Sequence, residues 1–268
     1  MTHPGSPFHA GEIAVQERAG VREIAARIGG NIRAFMPDQH RQFFADLDLL
    51  FLGALDADGQ PWATVLDGEP GFIAAPTRTR LTVGAQPAAD DPTAAGIAAN
   101  APVGLLGLMP ENRRRNRLNG RVDAVGADGF AIAVTQSFGN CPQYIQTRSR
   151  IPADPAGRPA AEVADTVTGS HRAWIESADT FFIASRAEDS VDVSHRGGRP
   201  GFVKIEADGA LVWPDYAGNN FFQTLGNFAV DPRAGLLFVD FERGDMLQVA
   251  GTAETVWDGG EVDTFKGA

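Results

Sequence analysis

A single cysteine, Cys141, is the first constraint in this 268-residue chain. Alone, it excludes an internal disulfide and any cluster held by several thiolates. A metal set is missing as well. His3, His9, His40, His171 and His195 have no ligand-like spacing. No apolar run is long enough to span a bilayer. The first residues carry His, Pro and Gly rather than the apolar core of a secretion signal. The expectation is a cytoplasmic chain with no membrane partner. Positive charge is scarce: 23 Lys and Arg against 34 Asp and Glu leave a net charge of −11. A dedicated nucleic-acid binder needs a basic face, so that class is set aside. The glycine-rich dinucleotide fingerprint, the P-loop and the nucleophile elbow are absent too. Cys141 has no identifiable neighbouring base and reads as a buried thiol.

What is present is ordinary for a globular protein, 43% hydrophobic and 21% charged. Residues 1–10 read as an extended arm. Glu12 to Ile28 has helical spacing, interrupted at Gly20, and Pro37 opens a second helix. Then the chain repeats itself. His40-Arg41 before Leu49-Leu50-Phe51 matches His171-Arg172 before Thr180-Phe181-Phe182, an offset of 131 residues. Gly104-Leu105-Leu106 matches Gly235-Leu236-Leu237, and Gly120 matches Gly251, at the same 131. Gly71-Phe72 matches Gly201-Phe202 at 130. A register this constant indicates tandem duplication of one strand-rich unit. The boundaries expected are an arm and helix over 1–36, a first unit over 37–165 and a second over 166–268. At Phe265-Lys266-Gly267-Ala268 a further strand is expected. Between the units, Phe130 to Val134 reads as a strand, Gln136 to Gln146 as a polar segment and Pro152 to Pro159 as a loop.

The second unit is the more informative. From Gly201 to Gly251 it reads as strand, Asp208-Gly209 turn, strand, polar loop, short helix, strand, turn, strand. The loop is Pro214 to Asn220. Asn219 or Asn220 is expected to cap a helix over Phe221 to Phe228, and amides there suit an anion. The first unit has Asp90-Asp91 in the matching loop, where two carboxylates repel a phosphate.

This order resembles the FMN-binding split barrel of pyridoxamine 5′-phosphate oxidase-like proteins, in the branch with tandem repeats. The pieces are Val212 to Asn220, Phe221 to Ala229, Asp231-Pro232-Arg233, Gly235 to Val239 and Leu247 to Gly251. The resemblance implies a mainly β fold with short helices (α+β): two tandem split β-barrels forming an intrachain pseudo-dimer, or a homodimer. It implies FMN as cofactor, an oxidoreductase activity, and a small-molecule substrate or an electron-transfer partner. One departure stands out. Gly218-Asn219-Asn220 replaces the family's usual Ser-Arg-Lys run, so amides, or charges from elsewhere, must hold the phosphate.

The candidate cofactor residues follow. Asp215, Tyr216, Gly218, Asn219 and Asn220 form the loop. Ser194, His195 and Arg196 lie on a strand end, with Lys204 on the next strand. Asn140 and Tyr144 come from the connecting segment. Arg117 belongs to the basic run Arg113 to Arg117 and would reach the second unit's cofactor across the pseudo-dimer, with Gln248 at its repeat position. The same residues also fit blander roles: a capped turn, a hairpin tip, a solvated charge run. A haem-binding relative using His171 or His195, a deazaflavin reductase and a cofactor-free scaffold remain open.

Overall fold

The computed structural model describes residues 6–151 and 161–265. The expected loop over Pro152 to Pro159 and the first half of the expected arm lie outside the described residues. The rest of that arm is not extended. Phe8 is fully buried, and a buried Phe contributes about 1.5–3 kcal/mol. Helix α1 (Ala10–Arg18) begins directly after it. His9 caps it: its Nδ1 accepts from Gly11 N–H while Glu12 accepts from the His9 N–H. Gly20, at φ +70°, breaks the helical pattern, and α2 (Arg22–Ile28) follows as a separate helix. Helix α3 (Asp38–Ala45) opens the first unit after Pro37.

The first unit contains β1 (Leu49–Leu55), β2 (Pro61–Asp67), β3 (Ile73–Thr77), β4 (Arg80–Val83), β5 (Pro102–Met109), β6 (Arg114–Val125) and β7 (Phe130–Gly139). They form one antiparallel sheet in the order β2-β1-β5-β6-β7-β4-β3. The second contains α4 (Gly169–Ser177), β8 (Thr180–Ala187), β9 (Ser190–Gly197), β10 (Lys204–Ile205), β11 (Leu211–Val212), α5 (Gln223–Phe228), β12 (Arg233–Val239), β13 (Met246–Thr252) and α6 (Gly260–Asp263). Its main sheet runs β9-β8-β12-β13, the same order as the first four strands of the other unit.

The duplication extends to the pairing register. Leu49 faces Asp67 as Thr180 faces Gly197. Gly53 faces Gly104 as Ala184 faces Gly235. Leu106 faces Arg117 as Leu237 faces Gln248. The fold is therefore mainly β with short helices, two tandem split barrels. They differ after the fourth strand of the shared order. β7 bonds both β6 and β4, whereas among the described residues no strand joins β13 to β11. The hairpin β10-β11 stands apart as its own two-stranded sheet. A groove of about 2650 Å³ lies there, with Leu211, Trp213, Leu247 and Val249 in its wall. Among the described residues, no helix is long and apolar enough to cross a membrane.

The units pack face to face about a pseudo-two-fold axis. Phe51 and Phe182, equivalent residues, stack on each other with centroids 3.5 Å apart and planes 15° apart. Gly104 lies against the backbone of Val191 and Asp192, and its equivalent Gly235 against that of Pro61 and Trp62. A side-chain carbon at either glycine would run into main chain, so each is a close approach that only glycine permits. Residue i touching j while j's twin touches i's twin is the signature of an isologous contact, here made within one chain.

Candidate functional site

The face-to-face packing leaves a cavity of about 320 Å³ between the units, within the range of about 300–1,000 Å³ usual for small-molecule sites. The first unit contributes Arg115 and Arg117 from β6, and Asn140, Cys141, Gln143 and Tyr144 from the segment after β7. The second contributes Ser194 to Gly197 of β9, Asp215 to Asn220, and Gln223 and Thr224 of α5. Side chains alternate along a strand, so Arg115 and Arg117 share the face of β6 that the second unit covers.

Arg117 anchors the cavity floor and is only 4% exposed. Its Nη1 donates to Asp192 Oδ1 at 3.3 Å and Gln223 Oε1 at 2.6 Å. Its Nη2 donates to Ser194 Oγ, which also accepts from Thr224 Oγ1 at 2.9 Å. Asp192 is held further by Asn119 Nδ2 at 2.6 Å and Asn227 Nδ2 at 3.0 Å. Burial pushes the Arg117 guanidinium down from its usual range, and the Asp192 carboxylate pulls it back up.

Arg115 is different. Its Nη1 lies 2.9 Å from His195 Nδ1, and no carboxylate pairs with it among the described residues. Burial, then the Arg117 and Arg196 charges, push it down to about 10, so it stays cationic at neutral pH. A guanidinium can only donate, so His195 Nδ1 accepts and Nε2 carries the ring proton. Burial, then Arg115, Arg196 and Arg148, hold the imidazole far below its usual titration range. Arg196 forms an ion pair with Asp215, Nη2 to Oδ1 at 3.1 Å.

Tyr144 and Tyr216 pair at 5.1 Å between centroids, and Tyr144 Oη donates to the Ala217 carbonyl at 3.1 Å. Tyr144, Asn220 and Phe222 all have φ near +60°, an uncommon conformation for residues with a side chain. All three lie on this cavity. Four residues of its wall each carry a buried polar atom without a protein partner: Nε of Arg115, Arg117 and Arg196, and Oδ1 of Asn140. The three guanidinium nitrogens are donors and suit an anionic ligand, whereas the Asn140 oxygen is an acceptor.

Of the residues expected from the sequence, Ser194, His195, Arg196, Asp215, Tyr216, Gly218, Asn219, Asn220, Arg117, Asn140 and Tyr144 all line this cavity. Two lie elsewhere. Lys204, on the separate β10-β11 hairpin, is not part of the cavity wall: it donates to Thr264 Oγ1 at 2.8 Å and sits 4.2 Å from the Phe265 ring centroid. Gln248 donates to the Ala63 carbonyl at 2.9 Å, on the opposite side of the pseudo-axis. The expected Asn cap also differs: Phe222 is the N-cap residue of α5, without a side-chain bond. Asn219 Oδ1 instead accepts from the Phe221 N–H at 3.1 Å within the loop. Arg115, Gln223 and Thr224 were not expected. Two-residue alternation from Arg117 was the available signal for Arg115. His171 lies away from the cavity, with Nδ1 3.1 Å from Thr168 Oγ1 at the start of α4.

Behind the cavity, α1 packs on α5 and buries Glu12 at 4% exposure. Burial, then the Asp192 charge, raises the Glu12 carboxyl from 4.5 to about 8, against the opposing pull of the His9 N–H and Arg117. The unfolded chain loses this proton above about 4.5 and the folded chain keeps it to about 8. The folded state thus binds more protons across that window, and stability falls as pH rises through it, then levels. Glu12→Gln should remove most of that slope. His195, held neutral by burial, contributes the opposite slope below its usual range, so urea midpoints of wild type and Glu12→Gln at pH 5 and pH 8 would check it, and the same pH dependence in both proteins would contradict the assignment.

The family model for pyridoxamine 5′-phosphate oxidase matches this chain twice, over residues 36–162 and 167–268. No curated protein matches it. Among solved structures, HupZ of Group A Streptococcus is similar over 39% of this chain and 93% of its own, at 15% identity and a TM-score of 0.31. A single-substitution variant of HupZ has the same identity and TM-score over 98% of its own chain. An F420 reductase is similar over 38% of this chain and 95% of its own, at 16% identity and a TM-score of 0.28.

Proposed function

This chain belongs to the pyridoxamine 5′-phosphate oxidase family, and from that premise we propose that it is an FMN-binding oxidoreductase. The supporting observation is Arg115: a guanidinium facing the inter-unit cavity, without a carboxylate partner among the described residues, in a chain of net charge −11. A phosphate monoester is the natural counter-ion for such a group. Arg115 and Arg196 would hold the phosphate, taking the place of the cations missing from Gly218-Asn219-Asn220. Tyr144 and Tyr216 would flank the ring system, and the His195 Nε2–H would remain a hydrogen-bond donor across the working pH range. When bound, the flavin supplies the electron transfer. The protein's part is to bind, orient and shield it, for a small-molecule substrate or an electron-transfer partner.

A visible spectrum of the purified protein, before and after FMN addition and removal of free flavin, tests the reading. Retained oxidised-flavin absorption is expected. A Soret band would transfer the site to haem, with His195 as the axial candidate. A protein that stays colourless after loading would overturn the FMN reading.

A further inference from the structure

Helices α1 and α2 precede both copies of the repeat, yet they reach the candidate cavity. Ala19 and Val21, at the turn between the two helices, form part of its wall. Helix α1 crosses α5 at a close approach. A side-chain carbon on Gly11 would meet the Gly226 carbonyl, and one on Gly226 would meet the Glu12 backbone. His9 Nε2, just before α1, lies 2.9 Å from Asn227 Oδ1 of α5. The N-terminal helices are thus tied to the element that brings Gln223 and Thr224 to the cavity.

Gln16 carries this contact to the loop itself. It is fully buried in α1. Its Nε2 donates to the Phe221 carbonyl at 2.9 Å, and its Oε1 accepts from Arg22 Nη1 at 2.9 Å. Phe221 sits between two loop residues in left-handed backbone, Asn220 at φ +61° and Phe222 at φ +57°. Such backbone is unfavourable for residues with a side chain and persists only where the surroundings hold it. Here they do: the Phe221 ring packs against Phe8 at 5.5 Å and Phe138 at 5.8 Å between centroids, and Gln16 holds the carbonyl. Filling the space between α1 and the loop would need only an apolar side chain. A buried amide bonded at both ends also fixes where the Phe221 carbonyl points. Asn220 and Phe222 both line the cavity. We propose that Gln16 is a positioning residue, holding the loop over 215–222 in its ligand-binding shape, with Arg22 orienting its amide. Gln16 is not part of the cavity wall and acts through Phe221. The inference rests on reading the cavity as the FMN site.

The test uses the full chain. Gln16→Met keeps the length of the side chain and removes both bonds. Ile175→Val, a core change on α4 away from the cavity wall, supplies a general loss of stability for comparison. In protein without ligand, amide hydrogen exchange over residues 215–224 should be about 10-fold faster in Gln16→Met than in the parent, with no such rise in Ile175→Val. Loop exchange that is unchanged, or raised equally in both variants, overturns the proposal. FMN affinity should fall about 10-fold in Gln16→Met and less than about 2-fold in Ile175→Val. Equal losses would make Gln16 a structural residue only and overturn it as well. A parent that binds no FMN counts against the FMN reading alone, and exchange of the unliganded loop still decides for Gln16. Should Gln16→Met not fold, Arg22→Gln decides by the same exchange: a rise of about 3-fold over 215–224 is expected, and none overturns the proposal.

Discussion

Arg117→Met is expected to cost about 3–5 kcal/mol of unfolding free energy, because it leaves a buried carboxylate without its cation. Asp192 is 5% exposed and pairs with Arg117. With the guanidinium gone, it keeps only the Asn119 and Asn227 amides, and Ser194 and Gln223 lose a donor as well. The adjacent Glu12, already raised by Asp192, would hold its proton more tightly. The loss is specific to stranding a charge. Arg117→Met combined with Asp192→Asn should therefore recover at least half of it in urea unfolding. A single variant within about 0.5 kcal/mol of wild type would mean that Arg117 does not hold the two units together.

Arg115→Gln should do the reverse. Its guanidinium has no carboxylate to strand among the described residues and is opposed by burial and by the Arg117 and Arg196 charges. Removing it should leave the apo fold as stable or slightly more so. FMN affinity should fall about 10–100-fold, the loss of one charge-assisted contact of about 1.5–3 kcal/mol. Stability and binding moving in opposite directions is the mark of a residue kept for a ligand. Flavin fluorescence titration and thermal melts on the same preparation would separate the two effects. A variant that binds as tightly as wild type would remove Arg115 from the site.

Much of this architecture was legible because the chain states it twice. The offset of 131 linking Gly104 to Gly235 locates the paired strands and the contacts across the axis, since both glycines exist for close backbone approach. The polar loop after β11 was legible from Pro214 and the Gly-Asn run. Arg115 was hidden within a basic run whose usual fate is a solvated hairpin, and its burial depends on which face of β6 the other unit covers. Lys204 was misplaced for a related reason: a two-residue strand fixes no direction beyond its own hairpin. The bonds that Asp91 accepts from Thr64 and Gln248 were also invisible in sequence. Adjacent carboxylates suggested repulsion of a phosphate, whereas the folded chain gives Asp91 donors from two units.

The central claim is that the cavity between the units recognises a flavin through its phosphate, with Arg115 as the cation. The most direct test is to titrate the intact protein with FMN and with riboflavin, which lacks only the phosphate. FMN should bind about 100-fold more tightly, as a charge-assisted pair plus its neighbouring donors would give, and Arg115→Gln should close most of that gap. Equal affinities for the two flavins, or a gap untouched by the substitution, would contradict it.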